Sequence, residues 1–121
     1  MIKNTQESIA ALTILTGASA NSIDFTPLKG HVIGCVIFYK GDNPGYVRAV
    51  VKDSAGTEIS RLQSIDNYRS RDASYLKGCK PLNIMTENRT FTFEVIATQP
   101  FSTDFLGELI FIYAPEKCDN N

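Results

Sequence analysis

Residues 90–95 read Thr-Phe-Thr-Phe-Glu-Val, and residues 109–113 read Leu-Ile-Phe-Ile-Tyr. The first stretch alternates apolar and polar residues with a period of two. Because side chains on a β-strand point alternately to opposite faces, this pattern predicts a strand with Phe91, Phe93 and Val95 inside and the residues between them facing water. The second stretch is a short apolar run of strand length. Together they predict an all-β chain.

The same patterns predict further strands along the chain. Clusters of Gly, Pro, Asn and Ser, which favour turns, separate them. The predicted strands are Ile9 to Leu15, Ile23 to Phe25, His31 to Tyr39, Tyr46 to Asp53, Thr57 to Leu62, Leu82 to Ile84, Thr90 to Ala97 and Gly107 to Ala114. About seven to nine short strands without a helix of convincing length are typical of a β-sandwich, jelly roll or small barrel. We predict an antiparallel β-sandwich that is jelly-roll-like.

Two local features bear on this prediction. The segment from Ile9 to Leu15 contains Ala and Leu, which favour helices, but its β-branched residues and the following Gly17 favour a strand. The turn Asp53-Ser54-Ala55-Gly56 joins the clearest hairpin, because Gly56 can adopt the positive φ that such a turn requires.

The stretch from His31 to Tyr39 is apolar on both faces, which is expected of a central strand that is covered on both sides. Gly34 interrupts it and predicts a bulge or the close approach of another backbone. With Val36 to Tyr39 and Ile110 to Tyr113, the chain has more two-sided apolar strand than a small monomer needs. A sandwich also has two edges that neighbouring subunits can pair with or cover, so we expect a homo-oligomer.

Size and composition set the broad class. With 121 residues the chain predicts a single domain over residues 1–121, ending in a polar tail at residues 115–121. Its 43% hydrophobic and 21% charged residues are typical of a soluble globular protein. No apolar stretch approaches the roughly 20 residues of a membrane span. The formal charge of −1 creates no field that would attract nucleic acid.

The N-terminal residues are polar where a secretory signal would be apolar, so we expect no signal peptide and a chain that stays where it is made. The three cysteines are widely spaced and accompany a single histidine, which makes a zinc site improbable. Cys35 is predicted to be buried. Whether Cys79 and Cys118 pair is left open.

Residues that carry chemistry do not form a recognisable set. His31 next to a glycine and an apolar strand is more often a strand-end residue than a base. Glu94 and Glu108 lie in strands and are expected to face solvent, and sequence spacing does not show whether they approach each other. The chain has no nucleophile elbow, no phosphate-binding loop and no calcium loop. We predict no enzymatic activity, no cofactor and no bound metal.

Contact residues are predicted in two polar stretches. Residues 63–80 have no sustained period, and irregular chain of this length often forms a contact loop, although a merely solvated loop is the simpler interpretation. Tyrosine and arginine are enriched at interface hot spots. Phe101 and Phe105 lie in a long connection and look exposed. The candidate partner-contact residues are Tyr68, Arg69, Arg71, Tyr75, Phe101 and Phe105.

The alternating strands His31 to Tyr39, Tyr46 to Asp53 and Thr90 to Ala97, the hairpin at Asp53 to Gly56 and the Asn-, Ser- and Thr-rich connections resemble those of small all-β bacteriophage virion proteins. Such proteins are single jelly-roll penton, decoration or spike-base subunits of a capsid. The resemblance covers most of the chain. It implies a viral structural protein that is made in the host cytoplasm, lacks an active site and makes protein–protein interactions within the virion.

Two functions follow as expectations. The first is a non-enzymatic structural subunit of a homo-oligomeric assembly, whose partners are its own copies and other proteins of a bacteriophage particle, without nucleic acid, membrane span or small-molecule ligand. The second is a binding module that presents Tyr46, Tyr68, Tyr75 and Phe101 to a carbohydrate or peptide. The lack of tryptophan disfavours the second.

Overall fold

The computed structural model describes residues 7–41, 45–68, 80–87 and 89–114. This part of the chain contains eight β-strands and one short 3₁₀ helix, and no α-helix. In chain order the strands are β1 (Glu7–Ile14), β2 (Ala20–Phe25), β3 (His31–Lys40), β4 (Val47–Asp53), β5 (Glu58–Ser64), β6 (Lys80–Met85), β7 (Phe91–Ala97) and β8 (Phe105–Tyr113). The 3₁₀ helix, Ile65–Tyr68, directly follows β5.

The strands form two antiparallel sheets of four strands each. The order is β1-β8-β3-β6 in the first sheet and β2-β7-β4-β5 in the second. The pairs β1 with β8, β2 with β7, β3 with β6 and β4 with β5 are nested, as if one long hairpin were rolled up and split into two layers. Eight strands arranged in this way form a jelly roll, so the predicted fold class is confirmed.

The core lies between the two sheets. Along β7, Phe91, Phe93 and Val95 are fully buried, and the residues between them are half-buried on the other side. The predicted alternation is therefore confirmed. Phe111 of β8 meets Phe91 edge to face, with ring centroids 5.8 Å apart at 82°. Aromatic pairs with this geometry contribute about 1 kcal/mol beyond the area they bury.

The bulge predicted at Gly34 is present. The register of β3 shifts between Val32 and Gly34 against both neighbouring strands, β6 and β8. Beyond the shift, Cys35 and Ile37 lie in the core, and Cys35 is fully buried as predicted. Phe38 alternates to the opposite, outer side of the first sheet, where it is exposed.

Two other predictions on local structure are confirmed. The first segment is a strand and not a helix, because β1 pairs along its whole length with β8. The β4–β5 turn is closed by Asp53, whose carboxylate accepts hydrogen bonds from the backbone N–H of Ala55 and Thr57 at 3.0 and 2.9 Å. Gly56 in this turn has φ +87°, the left-handed conformation that glycine adopts most readily.

Candidate interaction surface

Three of the predicted contact residues lie in the interior. Tyr68 and Phe105 are fully buried, and Phe101 is 1% exposed. The expectation that Phe101 and Phe105 are exposed is therefore wrong, and the Tyr68 side chain is not exposed either. The other three, Arg69, Arg71 and Tyr75, lie outside the described residues, as do Cys79 and Cys118.

Tyr68 is held in place by its hydroxyl group. The hydroxyl oxygen lies 2.5 Å from Ser60 Oγ and within 3.4 Å of the carbonyl oxygens of Ala49 and Arg61. Burial raises the pKa of Tyr68 to about 12, because a phenolate would lose its hydration there. The residue therefore fastens the end of the 3₁₀ helix to the second sheet.

Phe101 and Phe105 close one end of the core. Their ring centroids are 5.0 Å apart, and the ring of Phe105 stacks on that of Tyr39 at 5.7 Å and 22°. The backbone of Phe101 is fixed by hydrogen bonds to both Gly17 and Ala18. Burial of two phenylalanine side chains stabilises the fold by about 2 to 3 kcal/mol each, which outweighs the polarity of the residues between them.

Seven large apolar side chains are exposed in the described part of the chain, and three of them, Ile9, Phe38 and Leu106, lie near one another on the outer side of the first sheet. Residues of β1, β8 and β3 that alternate with core residues project from this side. Their exposed fractions are 60% for Ile9, 47% for Phe38 and 50% for Leu106. We define the outer patch as Ile9, Ala11, Thr13, Phe38, Lys40, Leu106 and Glu108, all of which are exposed.

The outer patch continues into a buried apolar cluster on the same side of the sheet. Val36, Ile110 and Ile112 form this cluster, with Ile33 packed against it, and they are separate from the main core. The register places Val36 opposite Ile110, directly beside the pair formed by Phe38 and Glu108. The sequence prediction of two-sided apolar strands is therefore confirmed for β3 and β8.

A shallow depression of about 350 Å³ lies in the outer patch. Ala11 and Thr13 of β1 line one side of it, and Phe38 and Leu106 belong to the other lining residues. Since Ala11 and Thr13 have small side chains, they leave space beside the larger ones on β3 and β8. The depression could accept a side chain of a protein that packs against the sheet.

The outer side of the second sheet differs in chemistry. There the Lys52 ammonium forms an ion pair with Glu94 at 3.3 Å, and Thr92 donates a hydrogen bond to Asp24 at 2.7 Å. These polar groups satisfy one another, so this side does not offer a comparable apolar surface. The two outer sides of the sandwich are therefore unlike.

A second cleft of about 760 Å³ lies at the open edge of the sandwich, beside β5 and β6. Ile59, Leu82 and Ile84 contribute apolar surface to it. Its cation, Arg89, is already engaged: the guanidinium lies 3.4 Å from the Asp53 carboxylate and 5.0 Å from the centroid of the Phe91 ring. Arg89 therefore has a structural role in closing this edge.

The structure shows where the residues considered for chemistry in the sequence lie. Glu94 and Glu108 project from opposite outer sides of the sandwich and do not form a carboxylate pair. His31 is exposed, and its Nε2 lies 2.6 Å from the Asn83 side-chain oxygen. Within residues 7–41, 45–68, 80–87 and 89–114, no three His, Cys, Asp or Glu side chains cluster as a metal site would require. The same part of the chain has no helix that could span a membrane.

The comparisons with known proteins place few constraints on this chain. No protein-family model matches it, and no curated protein matches it. Among solved structures, the crystal structure of the Yersinia pseudotuberculosis-derived mitogen matches over 98% of this chain and 93% of that chain, with 16% sequence identity and a TM-score of 0.48. A likeness this distant carries no argument about function, and the fold assignment above rests on the strands and pairings themselves.

Sequence reasoning missed Lys40 and Leu106 of the outer patch, whereas the expectation that Glu108 faces solvent is confirmed. Leu106 continues, towards the N-terminus, the alternation set by Ile110 and Ile112. That pattern could have assigned it to the outer side of the sheet. It could not have shown that Lys40 lies opposite Leu106, because the pairing of β3 with β8 joins distant parts of the chain.

Proposed function

We propose that this protein is a non-enzymatic structural subunit of a homo-oligomeric assembly and that copies associate through the outer patch. The observation that carries the proposal is the exposure of Ile9, Phe38 and Leu106 together on one side of the first sheet. Contiguous exposed apolar surface marks interaction sites, whereas scattered apolar residues do not.

The composition of the outer patch supports a protein partner. Aromatic side chains such as Phe38 are enriched at protein interfaces. Glu108 lies between Ala11 and Phe38 within the outer patch, and charges placed in this way can fix the orientation of a protein partner. The sheet beneath is rigid, because β3 and β8 pair over eight register positions from Val32 to Lys40. A preformed surface binds with little loss of conformational entropy.

We further propose that the assembly is a bacteriophage particle and that the chain is one of its capsid, decoration or spike-base proteins. The resemblance of the strands and connections to small jelly-roll virion proteins supports this proposal. Such a subunit would be made in the host cytoplasm and end in the virion. Flanking genes that encode capsid or packaging proteins would support this assignment, and flanking genes of a metabolic pathway would contradict it.

Light scattering coupled to size-exclusion chromatography tests the assembly. At micromolar concentration the wild-type chain is expected to elute as an oligomer. Leu106→Lys places a charge in the outer patch and should weaken association at least tenfold, about 1.4 kcal/mol. Leu28→Lys is the matched control, because Leu28 is 55% exposed and lies outside the patch. A wild-type monomer at this concentration would refute the proposed function.

A further inference from the structure

We propose that two copies of this chain pack face to face through the outer patch, related by a two-fold axis that runs along the diagonal from Phe38 to Leu106. In this arrangement Lys40 of each copy pairs with Glu108 of the other. The inference rests on the proposed function and deepens it by naming the partner and the contacts.

The argument starts from the register of β3 and β8. Phe38 lies opposite Glu108, and Lys40 lies opposite Leu106. The four outward side chains therefore occupy the corners of a quadrilateral. The two apolar residues, Phe38 and Leu106, lie on one diagonal, and the two charged residues lie on the other.

A two-fold axis in the plane of contact can run parallel to the strands, perpendicular to them, or along either diagonal of the quadrilateral. An axis along the charged diagonal would place Lys40 on Lys40 and Glu108 on Glu108 of the partner copy, so that like charges repel. An axis parallel to the strands would place Phe38 on the partner copy's Glu108 and Lys40 on its Leu106, burying each charge against an apolar group. An axis perpendicular to the strands would place Phe38 on Lys40 and Glu108 on Leu106, with the same penalty. Only the axis along the apolar diagonal places apolar side chains on apolar side chains and opposite charges on each other.

On that diagonal, Phe38 meets Phe38 and Leu106 meets Leu106 of the other copy. Because the two sides of the quadrilateral differ in length, rotation about this axis brings each Lys40 to within about 3 Å, in the plane of contact, of the position opposite Glu108 of the other copy. The long Lys40 and Glu108 side chains span this offset, so the interface contains two identical ion pairs. This reciprocity is the property of an isologous dimer contact. The pattern of charges is thus complementary to itself.

Strand geometry makes the arrangement feasible. Neighbouring strands are about 4.8 Å apart, and residues two apart on one strand are about 6.7 Å apart, so the diagonal lies about 36° from the strands. A two-fold axis along it would make the strands of the two copies cross at about 70°. Sheets pack face to face either nearly aligned or nearly orthogonal, and this angle is close to the orthogonal class.

The charges favour a second copy over a different protein. Neither Lys40 nor Glu108 forms an ion pair with any other residue that the structure describes. Each therefore needs a partner of opposite charge in an interface, and the same surface supplies both in matching positions. The depression beside Ala11 and Thr13 gives room for the side chains of the facing copy.

Charge reversal in separate chains tests the contact. Lys40→Glu alone creates two carboxylate pairs across the interface, and Glu108→Lys alone creates two ammonium pairs, so each variant should dimerise at least tenfold more weakly than wild type. An equimolar mixture of the two variants should recover association to within about threefold of wild type, since the mixed dimer regains two ion pairs. Analytical ultracentrifugation at micromolar concentration measures all three samples.

The mixture is the decisive sample, because an attraction between Lys40 and Glu108 within one chain cannot be restored by mixing chains. Lys29→Glu and Glu87→Lys are matched controls: they make the same charge changes at an exposed ion pair outside the patch and should leave association unchanged. Circular dichroism establishes that each variant is folded.

The outcomes separate the two proposals. If wild type is a monomer, both the proposed function and the two-fold contact are refuted. If wild type is an oligomer, but the single variants associate normally or the mixture is no stronger than its components, the two-fold contact alone is refuted. Recovery in the mixture supports both.

Discussion

Tyr68→Phe removes one hydroxyl group from a fully buried side chain and leaves its ring in place. Ser60, 4% exposed, then loses the hydroxyl that lies 2.5 Å from its own. An unsatisfied buried polar group costs about 1 to 3 kcal/mol. We expect Tyr68→Phe to lower the free energy of unfolding by about 2 kcal/mol.

The reverse deletion should cost less. In Ser60→Ala the Tyr68 hydroxyl can still donate to the carbonyl oxygens of Ala49 or Arg61, at 3.4 and 3.3 Å. We expect a loss of about 1 kcal/mol. In the double variant no hydroxyl is left without a partner, so its cost should fall about 1 kcal/mol or more short of the sum of the single costs.

Urea unfolding followed by circular dichroism at neutral pH measures this double-mutant cycle. Strictly additive losses, or a Ser60→Ala loss larger than that of Tyr68→Phe, would refute the assigned hydrogen bonds.

The same hydroxyl predicts a pH dependence. Burial raises the pKa of Tyr68 to about 12 from the ordinary value of 10.0, so the folded state keeps a proton that the unfolded chain releases. The stability associated with this group is therefore fully present below pH 10 and is lost as the pH rises towards 12. Between these limits wild type should lose about 1.4 kcal/mol per pH unit more than Tyr68→Phe does. Parallel pH profiles of the two proteins would contradict the burial of this group.

Two smaller perturbations test local geometry. Gly56→Ala should cost about 1 kcal/mol, because its φ is positive but the space around it is open. Gly45→Ala should cost about 2 kcal/mol more, since its Cβ would overlap Thr98 Oγ1. Equal thermal shifts for the two variants would argue against this crowding. Hydrogen bonds from the Thr16 hydroxyl and backbone N–H lower the pKa of Asp104 below 3.8, so Thr16→Ala should raise that pKa towards 3.8 in an NMR titration. An unchanged Asp104 pKa would contradict the contact.

The positions of the strands could be predicted because a strand leaves a local signature. In β7 the alternation of Phe91, Phe93 and Val95 with polar residues identified both the strand and its buried side. In β3 the glycine at position 34 predicted either a bulge or a close backbone approach, and the register shift shows the bulge. Each of these inferences needs only neighbouring residues and the period of two.

The pairing of the strands could not be predicted in the same way. Alternation shows which side chains face the core, but it does not show which strand lies alongside. The β4–β5 hairpin was predictable because its two strands are joined by a short turn. The pairing of β1 with β8, which places Ser8 opposite Phe111, depends on the whole core being assembled.

The buried aromatics were misjudged for a physical reason. Phe101 and Phe105 lie among Ser, Thr, Asp and Pro, and local polarity suggested exposure. Yet Phe105 lies at an alternate position of β8 with Gly107, Leu109 and Phe111, and all four residues are buried. Counting back by two from the apolar run would have placed Phe105 inside.

Substitutions in the outer patch should affect association more than they affect folding. Phe38 and Leu106 leave about half of their surface in solvent, so they contribute much less to folding than Val36, which is fully buried on the same side of the same sheet. Charge substitutions at the exposed positions should therefore leave the sandwich folded and weaken only the proposed association. A chain that used this side solely to complete its own fold would lose stability from the same substitutions. If these substitutions lower the association constant but not the free energy of unfolding, the apolar surface serves contact with another copy. If they lower the free energy of unfolding, the surface belongs to the core.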